Sequence, residues 1–109
     1  MTEETERSYG GISKELQGDD LRYALDILNA SLAKVSGMSD KPSFQVVKVK
    51  SVTSQVVAGM IYRYKVQLTQ DDAIKESYVK IWSRPWLPEN GTNMEIKQEG
   101  DDNVFEITF

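Results

Sequence analysis

The chain has 109 residues, 39% hydrophobic and 28% charged, which is enough apolar side chain for one core and too little length for two. Lys plus Arg total 13 against 17 Asp plus Glu, a net charge of −4, and with the basic residues scattered along the sequence nucleic acid is not an expected partner. The absence of Cys and His removes thiol nucleophiles, disulfides, the usual zinc sites and imidazole bases, so no metal or cofactor is expected and any catalysis would fall to carboxylates, lysines and hydroxyls, while the longest run free of polar side chains, Val56 to Tyr62, is far too short for a membrane span.

Residues 1–9 are rich in Glu and poor in apolar side chains, and are expected to form a flexible arm joined to the rest by Gly10-Gly11. From there Leu21, Leu25, Leu28, Leu32 and Val35, with Ala24 and Ile27 alongside, fall on one face of a helix predicted over 20–36. Gly18, Asp19 and Asp20 offer a cap acceptor and negative charge at its start, and Gly37 stands where a left-handed stop is wanted. Beyond Pro42 the residues are β-branched and aromatic, interrupted by Lys, Gln, Ser and Thr, which is strand chemistry.

A first strand is predicted over 44–55, its alternation slipping between Val46 and Val47 as at a bulge. In the next, Met60, Tyr62, Tyr64, Val66 and Leu68 alternate with Ile61, Arg63, Lys65 and Gln67, so one face should lie on the helix and the other in water. Asp71-Asp72 marks a turn; Asp101-Asp102 is a similar acidic pair, and both read as solvated turn acids rather than a catalytic pair. A third strand spans 74–83, a fourth 87–99 with an irregularity at Asn90-Gly91, and 104–109 is a short alternating tail that either pairs or stays loose. Tyr62, Tyr64 and Trp82 read as sheet packing rather than a ligand cage. The fold class is α+β, one helix packed across a curled antiparallel sheet of four to five strands. Along the chain this gives an arm over 1–9, a domain over 10–99 and a tail over 100–109.

Two loops depart from hairpin chemistry. Gln55-Val56-Val57-Ala58-Gly59 puts two valines where Asn, Asp, Gly or Ser ordinarily turn the chain, and Pro85-Trp86-Leu87 puts a large indole at a turn after a Pro that cannot continue a ladder. If the two hairpins are neighbours, both apolar tips leave the same end of the sheet, with Gly10-Gly11 free to lie beside them. The plainer reading makes Val56 and Val57 ordinary strand residues with the turn elsewhere, and Trp86 a core tryptophan.

This constellation resembles the cystatin family of cysteine-peptidase inhibitors. The QxVxG motif stands as Gln55-Val56-Val57-Ala58-Gly59, the Pro-Trp pair as Pro85-Trp86 and the glycine ahead of the helix as Gly10, in the family's order. Arg22-Tyr23-Ala24-Leu25-Asp26 with Asn29 is similar to part of the helix signature of plant members, and 80–92 is most similar to single-domain arthropod cystatins. The resemblance implies a reversible, tight-binding, competitive and noncovalent inhibitor of papain-like cysteine peptidases of the cathepsin L type, monomeric in a 1:1 complex. Ser8 and Tyr9 would fill the pockets before the catalytic thiol, and Gly10 would turn the chain away from it. Val56, Val57 and Ala58 would block the centre of the cleft, and Pro85, Trp86 and Leu87 its far side. Gln55 would hold the loop shape and Gly59 would return the chain to the sheet. The alternatives are a cystatin-fold binding or structural protein without inhibition and, for assembly, a dimer swapped through the first loop. Secreted animal members usually carry disulfides in the carboxy-terminal half; here Ser77 and Gln98 stand where one pair would be sought. A secreted mature form is expected, with a cytoplasmic one as the alternative. Ser39-Asp40 is only part of the Ser-Asn-Asp motif of legumain-inhibiting members, so that second activity is not expected.

Overall fold

The computed structural model describes residues 11–109. Helix α1 (Gly18–Ser36) is followed by β1 (Gln45–Val57), β2 (Gly59–Gln70), β3 (Ala73–Ser83), β4 (Thr92–Gln98) and β5 (Val104–Thr108). The strands lie in one sheet in chain order, each antiparallel to the next, so the architecture is the expected α+β meander with a single helix across it.

Burial along α1 selects Ala24, Leu28, Ser31, Leu32 and Val35, the spacing that holds one stripe against a sheet. Opposite it stand Val52 of β1, Tyr62, Tyr64, Val66 and Leu68 of β2, Val79 and Ile81 of β3, and Met94 and Ile96 of β4. Small side chains at Ala24 and Ser31 let the two layers approach closely. The contact is completed by Tyr64, whose hydroxyl donates to the Ala24 carbonyl at 2.7 Å inside the core. Burial first, and then the neighbouring Tyr62, push the Tyr64 hydroxyl far above the ordinary tyrosine range.

The direction of that shift fixes a pH dependence. An unfolded chain releases the tyrosine proton near pH 10 whereas the folded one holds it, so this contribution to stability is complete below about pH 10 and declines above it, by at most about 1.4 kcal/mol per pH unit. Tyr64→Phe is therefore expected to cost about 1 kcal/mol at neutral pH, through the lost hydrogen bond, and to flatten the alkaline limb of a urea-midpoint titration. An alkaline limb as steep as the parent's would assign it to other tyrosines.

The helix ends differ from expectation. No side chain caps its start: Gln17 is extended and Gly18, at φ 62, turns the chain in, leaving Asp19 and Asp20 to supply negative charge to the first turn. Gly37 stays right-handed at φ −82, because its N–H still reaches the Ala33 carbonyl; the left-handed residue comes later, at Asp40.

In β1 the register slips between Val46 and Lys48 and again between Val49 and Ser51, so the expected bulge is present and Val47 is turned out to solvent. β4 begins only at Thr92, which hands 87–91 to the preceding loop. The segment 104–109 is no loose end. β5 pairs Phe105 with Ile96 and Ile107 with Met94 on the core side, and the Phe105 ring lies 5.8 Å from that of Phe44.

Ser77 and Gln98 face each other directly across β3 and β4, both buried. The Ser77 hydroxyl donates to the Lys75 carbonyl, but Nε2 of Gln98 has no hydrogen-bond partner among the described residues. Since an unsatisfied buried amide costs more than the same volume of hydrocarbon, Gln98→Leu is expected to stabilise the fold by about 1 kcal/mol. A lower denaturation midpoint would show that the carboxamide is satisfied.

Candidate functional site

The sequence-predicted residues from Gln55 to Gly59 and from Pro85 to Leu87 come together at one end of the sheet. The β1–β2 ladder runs to its tip: Val56 pairs with Met60 and Val57 with Gly59, leaving Ala58 alone at the bend. The valines are thus the last rungs of a hairpin rather than loop residues, and Val56 is still half exposed. The left-handed residue of the hairpin is Gly59, at φ 94. A Cβ on Gly59 would stand 2.2 Å from the carbonyl oxygen of Ser83, so glycine is required here both for conformation and for the approach of β3.

The second loop begins beside this contact. The Leu87 N–H donates to the Arg84 carbonyl at 3.1 Å, closing a turn with Pro85 and Trp86 at its two central positions. Trp86 is 59% exposed and Leu87 37%, so the core-tryptophan reading does not hold. The loop is clamped at its base. The Arg84 N–H donates to the Gly91 carbonyl at 2.7 Å and Nη2 of Arg84 to the Asn90 carbonyl at 3.1 Å. Asn90 is left-handed at φ 57, and a Cβ on Gly91 would meet the Arg84 carbonyl at 2.6 Å, which is the physical content of the irregularity at these two residues.

Two further residues fasten the loops to each other. Trp82, on the sheet face away from the helix, donates its indole N–H to the Ala58 carbonyl at 2.9 Å, and the Arg84 guanidinium lies 4.0 Å over the Trp82 ring. The tip of the first hairpin is thereby bonded to the stem of the second. Gln55 acts within the first hairpin, its Oε1 accepting from Nη1 of Arg63 at 2.9 Å. Trp82, Arg84 and Arg63 are the residues that sequence reasoning missed. A Trp whose place in the strand alternation puts it outside the core was the available signal.

Ser8, Tyr9 and Gly10 lie outside the described residues. The segment just after them is tied to the sheet: the Ser13 N–H donates to the Ser54 carbonyl, Oγ of Ser13 accepts from the Ser54 N–H, and the Leu16 N–H donates to the Val52 carbonyl. Residues 13–16 therefore run antiparallel along the free edge of β1, and the chain reaches them from the side of Val56. Ile12, 56% exposed, adds a fourth exposed apolar side chain to Val56, Trp86 and Leu87.

The site offers apolar surface on a rigid frame and little that could react. Among the described residues no three His, Cys, Asp or Glu group as metal ligands, and no helix is long and apolar enough to cross a membrane.

Comparison with known proteins agrees with this geometry. The model of the cystatin domain matches residues 14–103. "Cystatin-like protein" of Drosophila melanogaster is 44% identical over 104 residues, covering 95% of this chain and 81% of that one. Sarcocystatin-A of Sarcophaga peregrina is 36% identical over 95 residues, 86% of this chain and 76% of its own. "Cysteine proteinase inhibitor 1" of Oryza sativa subsp. japonica is 40% identical over 40 residues, 37% of this chain and 29% of its own. No solved structure gives a significant match. With a helix-crossed meander, the two loops bonded at one end and these relatives, the chain belongs to the cystatin family.

Proposed function

We propose that this protein is a reversible, competitive and noncovalent inhibitor of papain-like cysteine peptidases, cathepsin L-like enzymes among them, binding one peptidase as a monomer. The observation that carries the reading is the bond from the Trp82 indole to the Ala58 carbonyl, which ties the tip of the first hairpin, with its exposed Val56, to the strand that leads into the exposed Trp86 turn. Such exposed apolar surface is costly to leave in water and complementary to a hydrophobic cleft. A wedge fixed by hydrogen bonds and a ladder loses little entropy on docking, so an interface of about 1,600 Å² supports nanomolar binding when a few desolvated anchors carry it.

In this reading Val56, Val57 and Ala58 fill the middle of the cleft, and Pro85, Trp86 and Leu87 its far side. Ser8 and Tyr9 enter the near side and Gly10 directs the chain past the thiol, so that no peptide bond is offered to it. Gln55 and Gly59 shape the first hairpin. The name of the rice relative supports the class of partner.

Titration of active-site-counted papain and a cathepsin L-type enzyme with the monomer tests the reading. A stoichiometric end point at one inhibitor per enzyme, reversed on dilution, is the expected result, and a folded monomer that leaves both enzymes active at micromolar concentration refutes it. Deletion of residues 1–9 is expected to raise the dissociation rate with little change in association, because contacts added to a complex already docked through the two loops act mainly on its lifetime. An unchanged dissociation rate would leave the arm without a role.

A further inference from the structure

The chain as a whole is acidic, yet folding gathers cations on one surface. Lys48, Lys50, Arg63, Lys65, Lys80 and Lys97 come from four different strands, which is why they read as scattered in sequence; strand alternation sets five of them on the face of the sheet turned away from α1, and Lys50, at the register slip after Val49, reaches Glu76 on that same face. The arrangement is a grid. Arg63 stands directly opposite Lys80, and in the next row Tyr78 stands between Lys65 and Lys97. Like charges facing each other on neighbouring strands are unfavourable, and nothing in the core requires them here.

One of the six is neutralised. Lys50 is paired with Glu76, whose carboxylate also accepts from Gln67, and these two hydrogen bonds hold it below the ordinary carboxylate range. Lys80 has only a long contact, 3.9 Å, to Glu95, and Arg63 is hydrogen-bonded to a neutral amide. Lys65 and Lys97, both exposed, have no carboxylate partner among the described residues. The four cations Arg63, Lys65, Lys80 and Lys97 line a groove of ≈ 340 Å³ with Tyr78, and Glu95 is the only acid among the described residues that line it. Tyr78 is 49% exposed there. From strand spacing and rise, the cations outline a patch of roughly 7 by 10 Å.

The walls of this groove decide what fits. It lies over the interior strands β2, β3 and β4, whose backbone groups are already used in the ladder, so an extended peptide finds no free edge to pair with. A single exposed ring stacks one ring of a ligand, whereas single-stranded nucleic acid draws on several aromatic platforms in succession. A saccharide carrying strong anions on a ring scaffold meets both features at once, its ring on the Tyr78 face and its anions on the surrounding cations. The groove also leaves Val56 and Trp86 uncovered, since neither lines it.

We propose that the outer face of the sheet is a docking site for a sulfated polysaccharide, with sulfate groups on Arg63, Lys65, Lys80 and Lys97 and a sugar ring against Tyr78. Binding there is compatible with simultaneous occupation of the loop end, and anchors the protein to a polyanionic matrix.

The test uses the full chain on immobilised heparin, with hyaluronan (carboxylates but no sulfates), oligo-dT and polyglutamate as competitors. The expected result is retention at low salt, displaced by free heparin and not by the three competitors, with log K falling against log[NaCl] at a slope of about −3 for four cations. Lys65→Ala with Lys97→Ala should weaken binding at least tenfold and reduce the slope to about half, and Tyr78→Ala should weaken it several-fold at unchanged slope. Lys41→Ala, an exposed cation absent from the groove, should bind as the parent does. Lys65 and Lys97 are exposed and hold no other side chain by a hydrogen bond or ion pair among the described residues, so thermal melts of these variants should match the parent. Failure of the parent to bind, an equal loss in Lys41→Ala, parent-like binding by the double variant, or displacement by oligo-dT or polyglutamate as effective as by heparin would each overturn the proposal, the last by reassigning the face to nucleic acid or acidic protein.

Discussion

Gly59→Ala is expected to destabilise the monomer by about 3 kcal/mol and to move the protein into a dimer. Two independent penalties meet at this residue. Its φ of 94 is a conformation that L side chains rarely adopt, and an added Cβ would stand 2.2 Å from the Ser83 carbonyl oxygen, a backbone atom fixed by the β2–β3 ladder. Neither is relieved by a rotamer change. Both are relieved if Ala58 and residue 59 become extended, because β1 and β2 are then one continuous strand and the displaced α1–β1 unit completes its sheet on a second copy. Urea unfolding of the dilute monomer, and size-exclusion chromatography after brief heating, read the two consequences separately. An unaltered midpoint together with a monomeric elution profile would show that the hairpin tip is softer than its geometry implies. Because the exchanged form consumes the first wedge hairpin, the dimer fraction should be inactive towards papain while residual monomer inhibits it.

This hinge also shows how far the sequence could be read. The motif from Gln55 to Gly59 located the first hairpin, and alternation from Met60 to Leu68 gave the buried face of β2 without error, since a strand packed on one side carries its face in its period. The position of the turn within the motif was not legible. Whether Val57 is loop or last rung depends on how far β2 pairs back, a property of two strands and of the Ser83 carbonyl beside them. The helix stop failed for a related reason: Gly37 permits a left-handed stop, but permission does not select one when its N–H can still reach Ala33. The pairing of residues 104–108 was undecidable locally, because five alternating residues become a strand only when β4 offers an edge and Phe44 a ring to pack on. At the site, the exposed tips were readable as chemistry in the wrong place. The fastening of Trp82 to Ala58 and the stacking of Arg84 on Trp82 join residues on adjacent hairpins, and no periodicity encodes which backbone carbonyl an indole will find. The same holds for the cationic face, assembled from one or two residues on each of four strands.

Trp86→Ala carries the largest expected effect on binding. The side chain is 59% exposed at the second central position of a turn that Pro85 pre-sets and the Leu87 N–H closes, so its removal deletes no core contact and no loop hydrogen bond. Stability should therefore change by no more than about 0.5 kcal/mol, as for a surface substitution. Binding is another matter, because in the proposed complex the indole is the largest apolar group that passes from water into the cleft. An anchoring tryptophan is worth about 2 to 4 kcal/mol, which is roughly 30- to 700-fold in the inhibition constant for papain, and the loss should fall on dissociation rather than association. Trp86→Phe, which keeps part of the apolar area, should recover a fraction of it. An alternative is that the indole serves to fix the loop, in which case Trp86→Ala would lower the melting temperature along with affinity. The contacts argue against that, since the loop is held by Arg84 through Gly91, Asn90 and the Trp82 ring without Trp86. A full-strength inhibitor lacking the indole would remove Pro85-Trp86 from the mechanism and leave the first hairpin and the arm to account for inhibition alone.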